Sequence, residues 1–258
     1  MTAIDPAETS TDAAATRLAD GTAGARGTAR RSTARRVALR RGVQLGAGLV
    51  AYAISMALVV HAGLGSMPWD VLTQGLSRHT GASFGTVTLV TSAVVLACWI
   101  PLRQRPGVGT VANVLVIGVL IDPFLAVLDR LPDPLPIGAR VALMVVGIVL
   151  NGLATGLYVG ARLGPGPRDG LMTGLVARTG RPIRLVRTGI EVTVVAAGWV
   201  LGGTVGVGTV AYALAVGPLV QLFLPRLTVP VAVAASSDGS DEPAEPAHAT
   251  ARVAAVEP

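Results

Sequence analysis

The sequence has a single cysteine, Cys98, and no lysine, so all 21 of its basic residues are arginine. One cysteine excludes a disulfide framework, a cysteine-based zinc site and a redox pair within the chain. Charged residues are also scarce, at 14% of 258 residues, where a soluble domain carries about 25%. No Asp, Glu or Arg occurs between Arg41 and Asp70. These shortages argue against an ordinary soluble protein.

Signatures of enzymes are missing as well. The tetrapeptide GVGT at 107–110 and 206–209 is neither a dinucleotide fingerprint nor a phosphate-binding loop, because no lysine follows it. The sequence offers no cluster of metal ligands, no serine nucleophile elbow and no histidine partner for Cys98. We therefore expect no enzyme activity, no cofactor and no metal site in this chain.

Apolar residues, in contrast, make up 51% of the sequence and form six runs, at 43–62, 84–102, 108–128, 139–161, 185–203 and 207–224. Each has the roughly 20 residues that a helix needs to cross a bilayer, and backbone groups in lipid must bond within the helix. Six arginines in 30–41 precede the first run, as in a signal peptide. That run is longer than the roughly 7–15 residues of a signal core, so we predict an uncleaved spanning helix.

The two ends of the chain differ from this transmembrane domain, which we place at 42–224. Residues 1–41 form an Arg-rich arm without apolar periodicity, and residues 225–258 form an acidic tail rich in Pro and Ala. Neither composition can bury a core, so both ends are predicted to be disordered. The net charge of +6 comes mainly from the arm and short loops, which indicates membrane topology and not a nucleic-acid partner.

The transmembrane domain consists of two related halves. A shift of 99 residues aligns 64–124 with 163–223 without a gap, and 23 of the 61 positions are identical, where composition alone gives roughly a tenth. The same shift places 43–62 over 142–161, which supports the first run as a structural helix. Repeat 1 is therefore 43–124 and repeat 2 is 142–223.

Each repeat carries a short motif after its first run, PWDVLTQGLSRHTG at 68–81 and PRDGLMTGLVARTG at 167–180. Pro68 and Pro167 suit the first position of a helix, and Gly81 and Gly180 suit its end. About 13 residues is too short to span a bilayer. We predict two short helices that are re-entrant or interfacial.

Three spans per repeat is an odd number, so repeat 2 is expected to be inverted relative to repeat 1. With the arm in the cytoplasm, the external segments carry only Arg78, Arg130 and Arg140, and the cytoplasmic segments beyond the arm carry Arg103, Arg105, Arg162, Arg168, Arg178, Arg181, Arg184, Arg187 and Arg226. This is the bias of the positive-inside rule. The predicted fold is an all-α membrane protein with six transmembrane helices in two inverted three-helix repeats and both termini cytoplasmic.

The segments GLGSMPWDVLTQGLSRHTG and RLGPGPRDGLMTGLVARTG, each followed by GVGT, resemble the YczE/YyaS/YitT group of bacterial integral membrane proteins, and especially its YczE-like members. The resemblance covers about residues 42–224. It implies a multi-helix protein of the bacterial inner membrane. It brings no substrate and no catalytic residues.

Inverted repeats with broken helices are a recurring design of transporters, in which short helices present their N-termini near the midplane. A substrate or coupling site is therefore predicted where the two motifs meet. Its candidates are Asp70 and Asp169, two residues after Pro68 and Pro167. The alternative is that each carboxylate only caps its own helix against the dipole.

Glu191 lies well inside a predicted span, and Arg187 lies one turn earlier on the same face. A carboxylate within the membrane is costly and is a functional candidate. Two interpretations stay open, a structural ion pair with Arg187 and a proton- or substrate-coupled site. The equivalent residues in repeat 1 are Thr88 and Ser92, so the two halves differ here.

Other polar and aromatic residues of the spans have ordinary interpretations. We expect Asp122 to be hydrated near the outer end of its helix, and Asn113 and Asn151 to form interhelical hydrogen bonds. The tryptophans are expected to anchor segment ends at the membrane interface; they are Trp69, Trp99 and Trp199.

Two functions are compatible with the sequence. The first is a secondary transporter or exporter of a small solute, working in the lipid bilayer as a monomer or a small homo-oligomer. The second is a non-transporting membrane accessory or scaffold protein that binds a partner. A transporter predicts a polar cavity that joins Asp70, Asp169 and Glu191, whereas a scaffold predicts a closed, apolar midplane.

Overall fold

The computed structural model describes the backbone of residues 6–132 and 134–229, and the side chains of these ranges from Thr33 onward. They form α1 (Pro6–Ala62), α2 (Pro68–Thr80), α3 (Phe84–Leu102), α4 (Val108–Leu128), α5 (Ile137–Gly160), α6 (Pro167–Thr179), α7 (Ile183–Val200) and α8 (Val207–Leu227). The short helices α2 and α6 begin at the two prolines, as predicted. They end at Gly81 and Gly180, whose φ angles of 70° and 65° are left-handed and favour glycine.

Five of the described helices are long and apolar enough to cross a bilayer, namely α1 from Thr33 onward, α3, α4, α5 and α8. The sixth predicted span, α7, has 18 residues and is not among these five, because it carries Arg184, Arg187 and Glu191. Large apolar side chains lie exposed on the outer faces, such as Leu115 at 53% and Leu214 at 73%. Apolar surface of this extent belongs in lipid, so the chain is an all-α membrane protein.

The first helix is longer than predicted. α1 begins at Pro6, so the backbone of 6–41 is helical where the composition predicts a disordered arm. Ala and Arg are good helix formers, and the arm continues directly from the spanning part of α1, so it needs no separate nucleation. At the other end, α8 extends to Leu227, and residues 230–258 of the predicted tail lie outside the described residues.

The first helices of the two repeats, α1 and α5, pack against each other at the centre, with α4 on α1 and its repeat equivalent α8 on α5. A buried amide joins three of these helices. Asn151 of α5 donates to Ser55 Oγ (2.9 Å) and accepts from the hydroxyl of Tyr212 (3.0 Å). The interhelical role predicted for Asn151 is confirmed.

Each GVGT turn holds a loop of the other repeat. At the start of α4, the N–H of Gly109 donates to the carbonyl oxygen of Leu163 (2.8 Å), and at the start of α8 the N–H of Gly208 donates to that of Leu64 (2.9 Å). A Cβ on Gly109 would lie 2.9 Å from the carbonyl carbon of Leu163, which explains the glycine. Both loops directly precede a short helix, so the turns fix where α2 and α6 begin.

Polar side chains near the helix ends tie particular termini together. Gln44 near the membrane entry of α1 donates to the carbonyl oxygens of Leu157 (3.0 Å) and Leu227 (2.6 Å), in the last turns of α5 and α8. Arg140 at the start of α5 donates to the carbonyl oxygen of Ala62 (2.8 Å) at the end of α1. α1 therefore runs antiparallel to α5 and to α8.

The short helices pack across the repeats, α2 on α7 and α6 on α3. Trp99 of α3 lies over Gly170 of α6, so closely that a Cβ on Gly170 would be 1.9 Å from the ring. In the equivalent contact, Gly198 of α7 faces the backbone of Val71, whose carbonyl carbon would be 2.5 Å from a Cβ on the glycine. Trp99 is thus buried, at 2% exposure, and the interfacial role predicted for it is wrong.

Candidate functional site

The two motif helices meet at their N-terminal ends. The guanidinium of Arg168, in the first turn of α6, stacks on Trp69 in the first turn of α2, 5.2 Å from the ring centroid. It also lies 3.7 Å from Oδ1 of Asp70. Trp69 and Arg168 are repeat equivalents, so the two motifs contact each other directly, as predicted. We call this contact the motif junction.

Asp70 is completely buried, and neither of its carboxylate oxygens has a hydrogen-bond partner among the residues that the structure describes. A buried charge without compensation is strongly destabilising, and Arg168 provides the opposite charge. α2 has no side-chain cap, so the hydrogen-bonded form of the capping interpretation is wrong for Asp70. Its place in the first turn still puts it at the positive end of the α2 dipole.

Asp169 has a different partner. Its Oδ2 accepts a hydrogen bond from the hydroxyl of Tyr158 at 2.7 Å, and α6 has no side-chain cap either. Tyr158 in turn packs edge-on against Tyr52, with the ring centroids 6.0 Å apart. The repeat-related carboxylates therefore differ, because one is paired with a guanidinium and the other with a phenol.

Arg187 and Glu191 form an ion pair one turn apart on α7. Arg187 Nε donates to Glu191 Oε1 at 2.9 Å, and the two side chains are 50% and 32% exposed. Both line a cavity, so the structural pair predicted for them exists within a polar chamber of the protein.

This large cavity, of about 420 Å³, lies between α7 and α8 and reaches the motif junction. α7 and α8 scarcely touch, whereas the equivalent helices α3 and α4 pack closely. The charged side chains of its wall are Arg168, Asp169, Arg187 and Glu191. Its aromatic wall consists of Trp69 and all three tyrosines of the chain, Tyr52, Tyr158 and Tyr212. The large cavity thus has Asp169 and Glu191 in its wall, while Asp70 is connected to it through Arg168.

A small cavity of about 60 Å³ lies in repeat 1 at the place equivalent to the large cavity of repeat 2. Its wall on α3 and α4 consists of Thr88, Ser92, Asn113 and Ile117, the repeat equivalents of Arg187, Glu191, Tyr212 and Val216 in the large cavity. Both cavities share Tyr52, Tyr158, Arg168 and Asp169. Two repeat-related cavities of unequal volume therefore meet at these four shared residues.

The motif prolines lie at the starts of the two short helices and border the two cavities. Pro68 and Pro167 are buried at the first positions of α2 and α6, where their fixed φ suits the helix start. The carbonyl oxygen of Pro167 accepts a hydrogen bond from Trp99 Nε1 at 3.0 Å. Pro68 lines the large cavity and Pro167 the small one. The prolines thus set the first turns from which Asp70 and Asp169 project.

Sequence reasoning missed the aromatic wall and Arg168. Three tyrosines in a chain with 3% aromatic residues, all within or beside spans, were an available signal, since a buried hydroxyl needs a polar partner. Trp69 lies at the motif junction, against the guanidinium of Arg168. Asp122 is not merely hydrated, because its Oδ1 accepts from the N–H of Gly85 (2.7 Å) at the start of α3. Across residues 33–132 and 134–229, whose side chains the structure describes, no group of three His, Cys, Asp or Glu residues is placed to hold a metal ion.

The comparisons with known proteins agree on one family. Residues 39–225 match the family described as "Family of unknown function (DUF6198)". The chain is 41% identical over 172 residues to an uncharacterized protein of Haemophilus influenzae, covering 66% of this chain and 77% of the relative. It is 34% identical over 182 residues to the uncharacterized membrane protein YczE of Bacillus subtilis, covering 70% and 83%.

A second protein of Bacillus subtilis, the uncharacterized protein YyaS, is 26% identical over 181 residues, covering 70% of this chain and 90% of the relative. No solved structure matches the chain. The matched residues contain both repeats, the two motifs and both GVGT turns. By these matches and by its apolar helices, the chain belongs to the YczE-like family of membrane proteins, DUF6198.

Proposed function

We propose that the chain is a secondary transporter of a small solute in the bacterial cell membrane, with its binding site at the motif junction. The observation that carries this proposal is the pair of repeat-related cavities, of about 420 and 60 Å³, around the same four residues. In transporters with inverted repeats, alternating access comes from movement of one repeat against the other around a fixed site. One wide and one narrow chamber at a shared centre fit one state of such a cycle.

The directions of the helices support six spans in two inverted repeats. Gln44 and Arg140 fix α1 and α5 as antiparallel, and these are the first helices of the two repeats. α7 then serves as the sixth span. Its charged residues Arg187 and Glu191 face the large cavity, as charged residues within membranes generally do. With the Arg-rich arm in the cytoplasm, both termini lie on that side.

The alternative function, a non-transporting scaffold, predicts a closed and apolar midplane. The large cavity instead presents two guanidiniums and two carboxylates. Placing four ionisable groups around a cavity within a membrane protein is costly unless they serve a solute or ion path. This disfavours the scaffold.

The test begins with metabolite profiling of strains that lack or overproduce the protein, and continues with flux of the solutes that change in proteoliposomes. Asp169→Asn and Asp70→Asn should reduce flux by about tenfold or more while the protein still inserts, because each removes a charge at the site. Asp129→Asn is the matched control, since Asp129 is 70% exposed beside His61 and away from both cavities. An unchanged solute distribution across a broad panel would count against transport, and loss of insertion by both variants would favour a structural role for the carboxylates.

A further inference from the structure

The charges around the motif junction do not cancel. Among the described residues, the carboxylates of Asp70, Asp169 and Glu191 stand there with the guanidiniums of Arg168 and Arg187, which gives a formal sum of −1. Arg168 is paired with Asp70 at 3.7 Å and Arg187 with Glu191 at 2.9 Å. Within the described part of the chain, Asp169 is the carboxylate left without a cationic partner, and its Oδ2 is held by a neutral tyrosine hydroxyl.

A net negative charge at a binding site favours solutes of one charge over others. Coulomb energies are large where the surroundings have a low dielectric constant, and an uncompensated charge away from water is costly. A monovalent cation brings the sum to zero. An anion doubles the imbalance, and a neutral or zwitterionic solute leaves it unchanged. The four charged side chains of the cavity wall cancel, but Arg168 is already paired with Asp70 outside that wall. The charges around the motif junction therefore favour a cation.

The rest of the wall suits an organic cation better than a bare metal ion. All three tyrosines and Trp69 line the large cavity, and aromatic faces attract ammonium groups. Oδ1 of Asp169 accepts no hydrogen bond from the described residues, so it is free for an N–H donor. Met172, Ile190 and Val216 supply apolar surface, and a cavity of about 420 Å³ is within the size of small-molecule sites, about 300–1,000 Å³.

We infer that the large cavity binds a monovalent organic cation, an ammonium group on an apolar body, with the ammonium at Asp169 and the body among the tyrosines and the apolar wall. This rests on the proposed function and names the substrate class of the same site. Binding can be measured without any flux, so the two proposals can fail separately.

The test measures saturable binding of radiolabelled 2-phenylethylammonium to the purified full chain in detergent. Two unlabelled molecules of similar shape are tested as competitors, the neutral 2-phenylethanol and the anionic 3-phenylpropionate. Unlabelled amine should displace the label, and the alcohol and the acid should fail at concentrations about tenfold higher, because only the amine corrects the charge sum. Asp169→Asn should weaken binding by about tenfold or more.

Charge variants on α7 test the sum itself. Glu191→Gln should weaken binding of the amine and Arg187→Gln should strengthen it, each by about threefold to tenfold. The double variant should return close to the wild-type affinity, because it restores the sum. Asp129→Asn should bind as the wild type does. The midpoint of thermal unfolding in detergent is measured for Asp169→Asn beside the wild type, and equal midpoints show that its loss of binding is not a loss of fold.

Two results would overturn the inference. One is that 3-phenylpropionate or the alcohol displaces the label as well as the amine does. The other is that the amine does not bind, or binds Asp169→Asn as it binds the wild type. If the amine does not bind but another solute is transported in proteoliposomes, the transport proposal stands and the cation assignment is wrong. If the amine binds but no solute is transported, the cation assignment stands and the transport proposal is wrong.

Discussion

The guanidinium of Arg168 lies 3.7 Å from Oδ1 of Asp70, a completely buried carboxylate without a hydrogen bond. The two residues belong to different copies of the same motif. Arg168 also stacks on Trp69 and lines both cavities. One side chain of repeat 2 thus neutralises a buried charge of repeat 1 and borders the path that we propose for the solute.

Removing that side chain should destabilise the protein. Arg168→Gln leaves Asp70 buried and unpaired, and breaking a buried ion pair costs about 3–5 kcal/mol. We expect a lower midpoint of thermal unfolding in detergent for this variant. The double variant Arg168→Gln with Asp70→Asn should recover most of the loss, because no charge then stays buried. Arg130→Gln, at an exposed arginine, is the control, and equal stability of Arg168→Gln and this control would contradict the pairing.

A methyl group on Gly170 should be poorly tolerated. Its position is 1.9 Å from the ring of Trp99, which is itself buried and bonded to Pro167. Overpacking of this kind costs about 1–3 kcal/mol, so Gly170→Ala should lower the unfolding midpoint. Gly189→Ala is the matched control on α7, where nothing lies within 4 Å of a new Cβ; a loss of similar size there would mean that packing against Trp99 is not the cause.

The inverted arrangement has a paired test in two repeat-equivalent residues. His79 and Arg178 lie in the last turns of α2 and α6 and are exposed. After replacement of the exposed Cys98 by serine, His79→Cys and Arg178→Cys should react with a membrane-impermeant thiol reagent from opposite sides. Right-side-out and inside-out vesicles distinguish the sides. Labelling of both cysteines from one side would rule out inversion.

A second cysteine pair reports on the two chambers. Glu191 lines the large cavity and its equivalent Ser92 lines the small one. In the state described here, Glu191→Cys should react with a charged thiol reagent about tenfold faster than Ser92→Cys, since only hydrated thiols ionise readily. Val192→Cys, at a 62% exposed position of α7 outside the two cavities, should be as slow as a buried thiol, because we propose that this face of α7 lies against lipid. Equal rates at 191 and 192 would mean that the large cavity holds no water.

Much of the fold follows from local patterns in the sequence. Pro68 and Gly81 mark α2 as Pro167 and Gly180 mark α6, because a proline start and a glycine stop depend on the residue itself. Apart from the start of α1, the apolar runs predict the bounds of the long helices within a few residues, and five of these helices are apolar enough to cross a bilayer. Sequence alone does not show that α6 packs on α3, so it cannot show that Trp99 is buried against the opposite repeat. For the same reason the sequence did not reveal the role of Arg168, because that role depends on a partner about 100 residues away.

Trp99 and Gly198 occupy equivalent positions in the two repeats but make different contacts, and this difference bears on which repeats can pack together. A symmetric dimer of repeat 1 alone would place a tryptophan against the backbone of Val71, where even a Cβ on the equivalent glycine has no room. A dimer of repeat 2 alone would set Gly198 against Gly170 and leave a hole. Each repeat thus has a contact surface that fits the other repeat better than a second copy of itself.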